Sequence, residues 1–296
     1  MSIFHPPVVR IADHCTFLSR LLHALAYQEP ASVRRGDESY GWLHPADWLD
    51  LAASVIKVEV VTAQGDTSLM YCESAMDYEN DRSKLLSQLT TSLTVFSFAW
   101  GAFESVAKIM DPPSIPKTDR KDGNDSLAAR VAYAIRTVSA DGVYHCALAN
   151  IRHRMASLSE YSDCLPAGLG PVTEADAGEG IDLVRRIRNK FAHGAAVLPQ
   201  RDDWNGKDSL DNQLVRFSCR MVLLTIQMML RVHFAGRSFE IDDYDPCSDS
   251  DEGQEIHSRL ESLHIVCETE DDETASTDPE AAGSESGRAD QSTETA

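Results

Sequence analysis

From Asp77 to Met110 the chain repeats large apolar residues every three or four positions: Leu85, Leu89, Leu93, Phe96, Trp100 and Phe103. On α-helical backbone that spacing collects on one face, so the run reads as a single long bundle helix, stopped by Pro112-Pro113. Leu210, Leu214, Phe217, Met221, Leu224, Met228 and Val232 mark a second long helix, apolar almost all round between Val222 and Leu230. A helix with no polar face belongs at the centre of the packing. Shorter periodic runs lie between the two: one from a cap at Asp125 or Ser126 to Ser139, one over Val143 to Leu158, and one leading to His193. Four or five helices around one core make a mainly α fold, an up-and-down bundle over residues 77–241.

The flanks read differently. Residues 1–76 form a small mixed α/β region, with helical spacing from Phe17 to Leu25 and a short helix opening at Pro45. Ile56-Lys-Val-Glu-Val-Val alternates at the strand period, and Gln64-Gly65-Asp66 can turn it back into Thr67 to Glu73 as a hairpin. Charge separates the other end. Of the net charge of −20, residues from Ile241 onward carry 18 Asp and Glu against Arg259 and Arg288. The stretch 242–296 is therefore expected to be a disordered acidic tail, with one possible amphipathic helix at Ile256 to Val266. Seven scattered cysteines (Cys15, Cys72, Cys146, Cys164, Cys219, Cys247 and Cys267) include no C-x-x-C pair, which argues for a reducing compartment and against a disulfide frame or zinc site. The N-terminus shows no secretory pattern, and the most apolar window, Met221 to Leu230, is too short for a span, so a cytoplasmic protein with no membrane contact is expected.

The chemistry concentrates in Ile181 to Gly194. At about 100° per residue, Leu183, Val184, Ile187 and Phe191 form an apolar stripe, and Arg185, Asn189 and His193 form a polar one opposite. Gly194 follows the last periodic residue and stops the helix, leaving His193 in the final turn. Arg188 lies between the stripes on a long stem. Arg185, Arg186 and Lys190 complete a local phosphate-attracting patch on an otherwise acidic chain. Cys146 and His153 share a face of the preceding helix, without a third group that would make the thiol a nucleophile.

Arg188-Asn189-x-x-x-His193, late on a helix of an all-helical chain, resembles the R-x4-6-H signature of the HEPN superfamily, many of whose members are metal-independent endoribonucleases. Arg259 and His264 repeat the spacing in the acidic tail, a stretch expected to be disordered, without the Asn after the Arg or the glycine stop. Phe98-Ala-Trp-Gly-Ala-Phe-Glu104 is similar to a first-helix segment of several HEPN families, in which a polar residue faces the active site. The resemblance implies a catalytic set of Arg188, Asn189, His193 and Glu104, no cofactor or metal, and a homodimer whose two motif helices complete one cleft. It implies RNA as the substrate and, in bacteria, a toxin or phage-defence setting with an antitoxin or defence partner protein. Residue chemistry agrees: imidazole can take or give a proton near neutrality, and guanidinium holds a phosphate whose own 2′-OH attacks it. The subgroup signature H-x-Tyr is not met, because position 195 is Ala. The alternative expectation is a non-catalytic HEPN module that binds RNA or a protein partner.

Overall fold

The computed structural model describes residues 8–28, 33–35, 38–64, 72–120, 125–165, 170–172, 177–200, 208–241 and 254–265. Eight helices carry the fold among them: α1 (Ile11–Gln28), α2 (Leu43–Ser54), α3 (Glu73–Met110), α4 (Leu127–Ile135), α5 (Gly142–Ser157), α6 (Glu179–Ala192), α7 (Leu210–His233) and α8 (Ile256–Ser262). The chain is mainly α. Its strands are two short antiparallel pairs, β1 (Val33–Arg35) with β2 (Glu38–Tyr40), and β3 (Glu240–Ile241) with β4 (Gln254–Glu255).

α7 is the axis, as its all-round apolarity predicts: from Leu214 to Leu230 most of its side chains are buried, and α1, α3, α4, α5, α6 and α8 all pack against it. Removing that much apolar surface from water supplies roughly 1.5–3 kcal/mol for each large side chain. α7 is also the one helix among the described residues long and apolar enough to cross a membrane, and most of it is covered by the other helices. α3 presents its predicted seam inward, with Leu85, Leu89, Phe96, Trp100 and Phe103 buried. α2 lies close on α3 because Gly101 has no side chain: a Cβ there would stand 2.9 Å from the Trp48 ring. Ser126 caps α4 through its hydroxyl, which accepts the Ala129 amide, and Asp141 does the same for α5 at Tyr144.

Three sequence expectations need correction. The bundle does not begin at residue 77, since α1 and α2 share its core with α3 and α7. The first arm of the expected hairpin forms no strand. Residues 55–61 run alongside α3 instead and turn at 62–64, and the hydroxyls of α3 accept the amides of alternate residues: Val58 to Thr91 at 2.9 Å, Val60 to Ser87 at 2.9 Å and Thr62 to Ser83 at 3.2 Å. A period-2 backbone has found its partners on an i, i+4 row of side chains rather than on a second strand. Of the second arm, Thr67 to Glu73, residues 67–71 lie outside the described residues, and Glu73 already opens α3.

The third correction concerns the C-terminal boundary. Residues 254–265 return to the bundle, and α8 buries Ile256 and Leu260 against it, so the last packed segment lies beyond Asp242. The amphipathic helix expected over Ile256 to Val266 forms, with this chain's own α7 as its partner. The rest of the acidic tail, 242–253 and 266–296, lies outside the described residues.

Candidate functional site

α6 is fixed at its start by contacts from other helices. Its N-terminal residue Gly178 supplies no side-chain cap. Instead the Tyr144 hydroxyl of α5 accepts the Gly180 amide at 2.9 Å and donates to the Ala177 carbonyl at 2.8 Å. Two glycines let this happen. A Cβ on Gly178 would meet the Ala132 carbonyl oxygen at 2.1 Å, and one on Gly180 would meet Met221 Sδ at 2.4 Å. Arg152 of α5 adds an ion pair, its Nε donating to Glu179 at 2.9 Å.

The apolar stripe is buried as the spacing requires, with Leu183, Val184 and Ile187 inaccessible and Phe191 against Tyr161. The helix ends in a Schellman turn. His193 is the C-cap, Gly194 takes the left-handed conformation at φ 65°, the Gly194 amide donates to the Phe191 carbonyl and the Ala195 amide to that of Lys190. His193 is therefore exposed at the tip. Its backbone amide bonds the Asn189 carbonyl at 3.0 Å, but the structure brings no side-chain hydrogen bond between Asn189 and His193 among the described residues.

The cations divide into two kinds. Asp182 receives Arg185 at 2.8 Å and Arg186 at 2.9 Å, and Arg186 also donates to the Cys164 carbonyl. Burial works against the Asp182 charge, and the guanidiniums, Arg185 foremost, overcome it and hold its carboxyl below the ordinary value. Lys190 donates to Asp163 at 3.0 Å and to the Glu160 carbonyl at 2.6 Å. Arg188 has no carboxylate partner among the described residues. Its guanidinium carbon lies 6.0 Å from the centre of the Trp100 ring on α3, and the Trp100 indole donates to Glu104 at 2.7 Å. Arg188 and Glu104, picked from different helices, thus meet at one indole.

A cavity of about 730 Å³ lies elsewhere. It opens between the start of α1, α3, α5 and α7, is lined by Cys146 and Asn150 among others, and includes none of Arg188, Asn189, His193 or Glu104. His153 stays exposed on the outside of α5, and Asn150 is satisfied by the Cys146 carbonyl at 2.8 Å. No cluster of three His, Cys, Asp or Glu able to hold a metal occurs among the described residues.

A buried polar chain escapes sequence reasoning. Arg220 of α7 donates to His14 Nδ1 at 2.8 Å and to the Val9 carbonyl. Arginine only donates, so His14 carries its proton on Nε2 and gives it to Gln227 Oε1 at 2.7 Å. The Gln227 amide then donates to the Leu260 carbonyl at 2.8 Å and to His264 Nδ1 at 3.2 Å. His264 Nε2 closes the chain 3.0 Å from an Asp141 carboxylate oxygen. The second Arg-x4-His spacing therefore lands in the interior, with His264 only 2% exposed, and serves the packing of α8.

No protein-family model, curated protein or solved structure matches this chain.

Proposed function

We propose that this chain is a HEPN-type, metal-independent endoribonuclease, in which His193 moves the proton and Arg188 steadies the phosphate while the ribose 2′-OH attacks. The observation that carries the reading is the meeting of Arg188 with Trp100 and Glu104. A buried guanidinium would need a carboxylate; one left half-exposed over an indole, with a carboxylate on that indole's other edge, is oriented yet still able to bind an anion. His193 stands exposed one turn further on, and one such histidine per chain suits a homodimer with a composite cleft. Cleavage leaves a 2′,3′-cyclic phosphate and a 5′-hydroxyl, and DNA is inert. A toxin or phage-defence role with an antitoxin or defence partner fits such an activity.

The test is cleavage of single-stranded RNA in EDTA by the full chain, compared with His193→Ala and Arg188→Ala. Both substitutions abolish cleavage with folding intact; activity that survives His193→Ala removes the assignment.

A second reading is a non-catalytic HEPN module that binds RNA or a protein. The pairing of Arg185, Arg186 and Lys190 with this chain's own carboxylates favours its protein-binding form, because it leaves few uncommitted charges for a phosphate backbone. RNA binding without cleavage under any condition tested selects this second reading.

A further inference from the structure

The extended segment beside α3 has a second edge. In strand backbone the N–H and C=O of successive residues point to opposite sides. Val58, Val60 and Thr62 point to the α3 hydroxyls, so Lys57, Glu59 and Val61 point away, and their backbone groups make no hydrogen bond among the described residues. The apolar side chains flanking this edge are open as well, Ile56 being 94% and Val61 63% exposed. An unpaired edge with apolar flanks is a template for strand addition.

The sequence of the segment selects the occupant. We propose that a second copy of this chain pairs with it, antiparallel, about a two-fold axis at Val58. In that register Lys57 stands opposite Glu59 of the partner subunit, and Glu59 opposite the partner's Lys57. Both belong to the outward-pointing set, so these are the hydrogen-bonded pairs, while Val58, already bonded to α3, falls at a non-hydrogen-bonded position facing its own symmetry mate. Ile56 gains the partner's Val60 as an apolar neighbour. Shifting the register by two residues in either direction sets Lys57 against the partner's Lys57, or Glu59 against the partner's Glu59, and like charges directly opposite repel. Within one chain Lys57 and Glu59 already contact each other at 2.8 Å, both on the exposed face, so the charges need only change partners. This contact is separate from α6 and does not depend on the nuclease reading.

Sedimentation equilibrium on the full chain tests it. Wild type self-associates, to a dimer through this edge alone and to a tetramer where α6 pairs as well. Glu59→Lys weakens association about tenfold, because two attractive cross-strand pairs become repulsive. The double substitution Lys57→Glu with Glu59→Lys restores the association, and also shows that charge at these exposed positions does not impair folding. Four outcomes overturn the proposal: a monomer at every concentration, an association indifferent to Glu59→Lys, failure of the double variant to restore association, or a monomer whose Lys57, Glu59 and Val61 amides resist hydrogen exchange. The last assigns the edge to residues 65–71 of the same chain.

Discussion

Arg188 reaches across from α6 to the face of Trp100, 6.0 Å from guanidinium carbon to ring centre, and is the only cation of its helix held by an aromatic ring rather than by a carboxylate, among the described residues. The contact joins the two helices on which the proposed chemistry depends. A double-mutant cycle of Arg188→Ala and Trp100→Leu, followed by urea unfolding, yields a coupling energy of about 0.5–1 kcal/mol. Strict additivity would mean that the ring does not hold the guanidinium.

Asp182 holds two arginines that would otherwise face solvent. Asp182→Asn keeps the shape and removes the charge that both lean on, so Arg185 and Arg186 gain freedom to meet phosphates. RNA affinity at low salt is expected to rise several-fold, with a steeper salt dependence as more counterions are released. Fluorescence anisotropy with a labelled single-stranded RNA reads both; an unchanged affinity leaves these arginines out of any RNA contact.

His14 carries the pH dependence. Burial first, then the neighbouring Arg220 and His264, push its basicity well below the ordinary 6.5, and a proton on Nδ1 would point straight at a guanidinium N–H. The folded state therefore binds this proton less readily than the unfolded chain. The stability is whole above pH 6.5 and declines as pH falls below that value, by up to about 1.4 kcal/mol per unit. Asp141 and Asp182, with lowered values, act in a separate window below 3.8. Urea midpoints measured between pH 7.5 and 5.5 should drop for wild type and stay nearly level for His14→Gln, which begins less stable. Equal slopes in the two proteins would contradict the buried neutral imidazole.

Helix propensity and space oppose each other at the start of α6. Alanine in place of glycine ordinarily adds up to about 1 kcal/mol to a helix interior. At Gly180 the new methyl would enter Met221 and the Tyr144 hydroxyl, and at Gly178 it would enter the backbone of Ala132. Overpacking decides the sign: Gly180→Ala destabilises by about 1–3 kcal/mol and Gly178→Ala by at least as much, since backbone yields less than a thioether. Gly142→Ala, with nothing nearby, stays within about 1 kcal/mol of wild type. Thermal melts of the three variants rank them, and a stable Gly178→Ala would show that α4 can move away.

What could be read from the sequence was local. The seams of α3 and α7, the Ser126 cap and the Gly194 stop depend on spacings within one or two turns, and all are found. Asp182 was equally legible, three and four residues before Arg185 and Arg186, yet counting cations on α6 without their acids overstated its charge. His14, Arg220, Gln227 and His264 were out of reach because their partners stand more than 30 residues apart and each looks like an ordinary surface residue. The segment from Ile56 to Val61 shows the same limit: alternation revealed extended backbone but not that serine and threonine hydroxyls would satisfy it.

That hydroxyl row sets its own length. A helix climbs about 6.0 Å over four residues and a strand about 6.7 Å over two, so facing rungs slip by roughly 0.7 Å at each step, like the two scales of a vernier. The longest of the three bonds, Thr62 to Ser83 at 3.2 Å, comes at the end of the row. The next positions on α3, Glu79 and Val95, carry no short hydroxyl. A helix can thus stand in for a neighbouring strand over a few residues only, and where the two scales part the backbone has to turn.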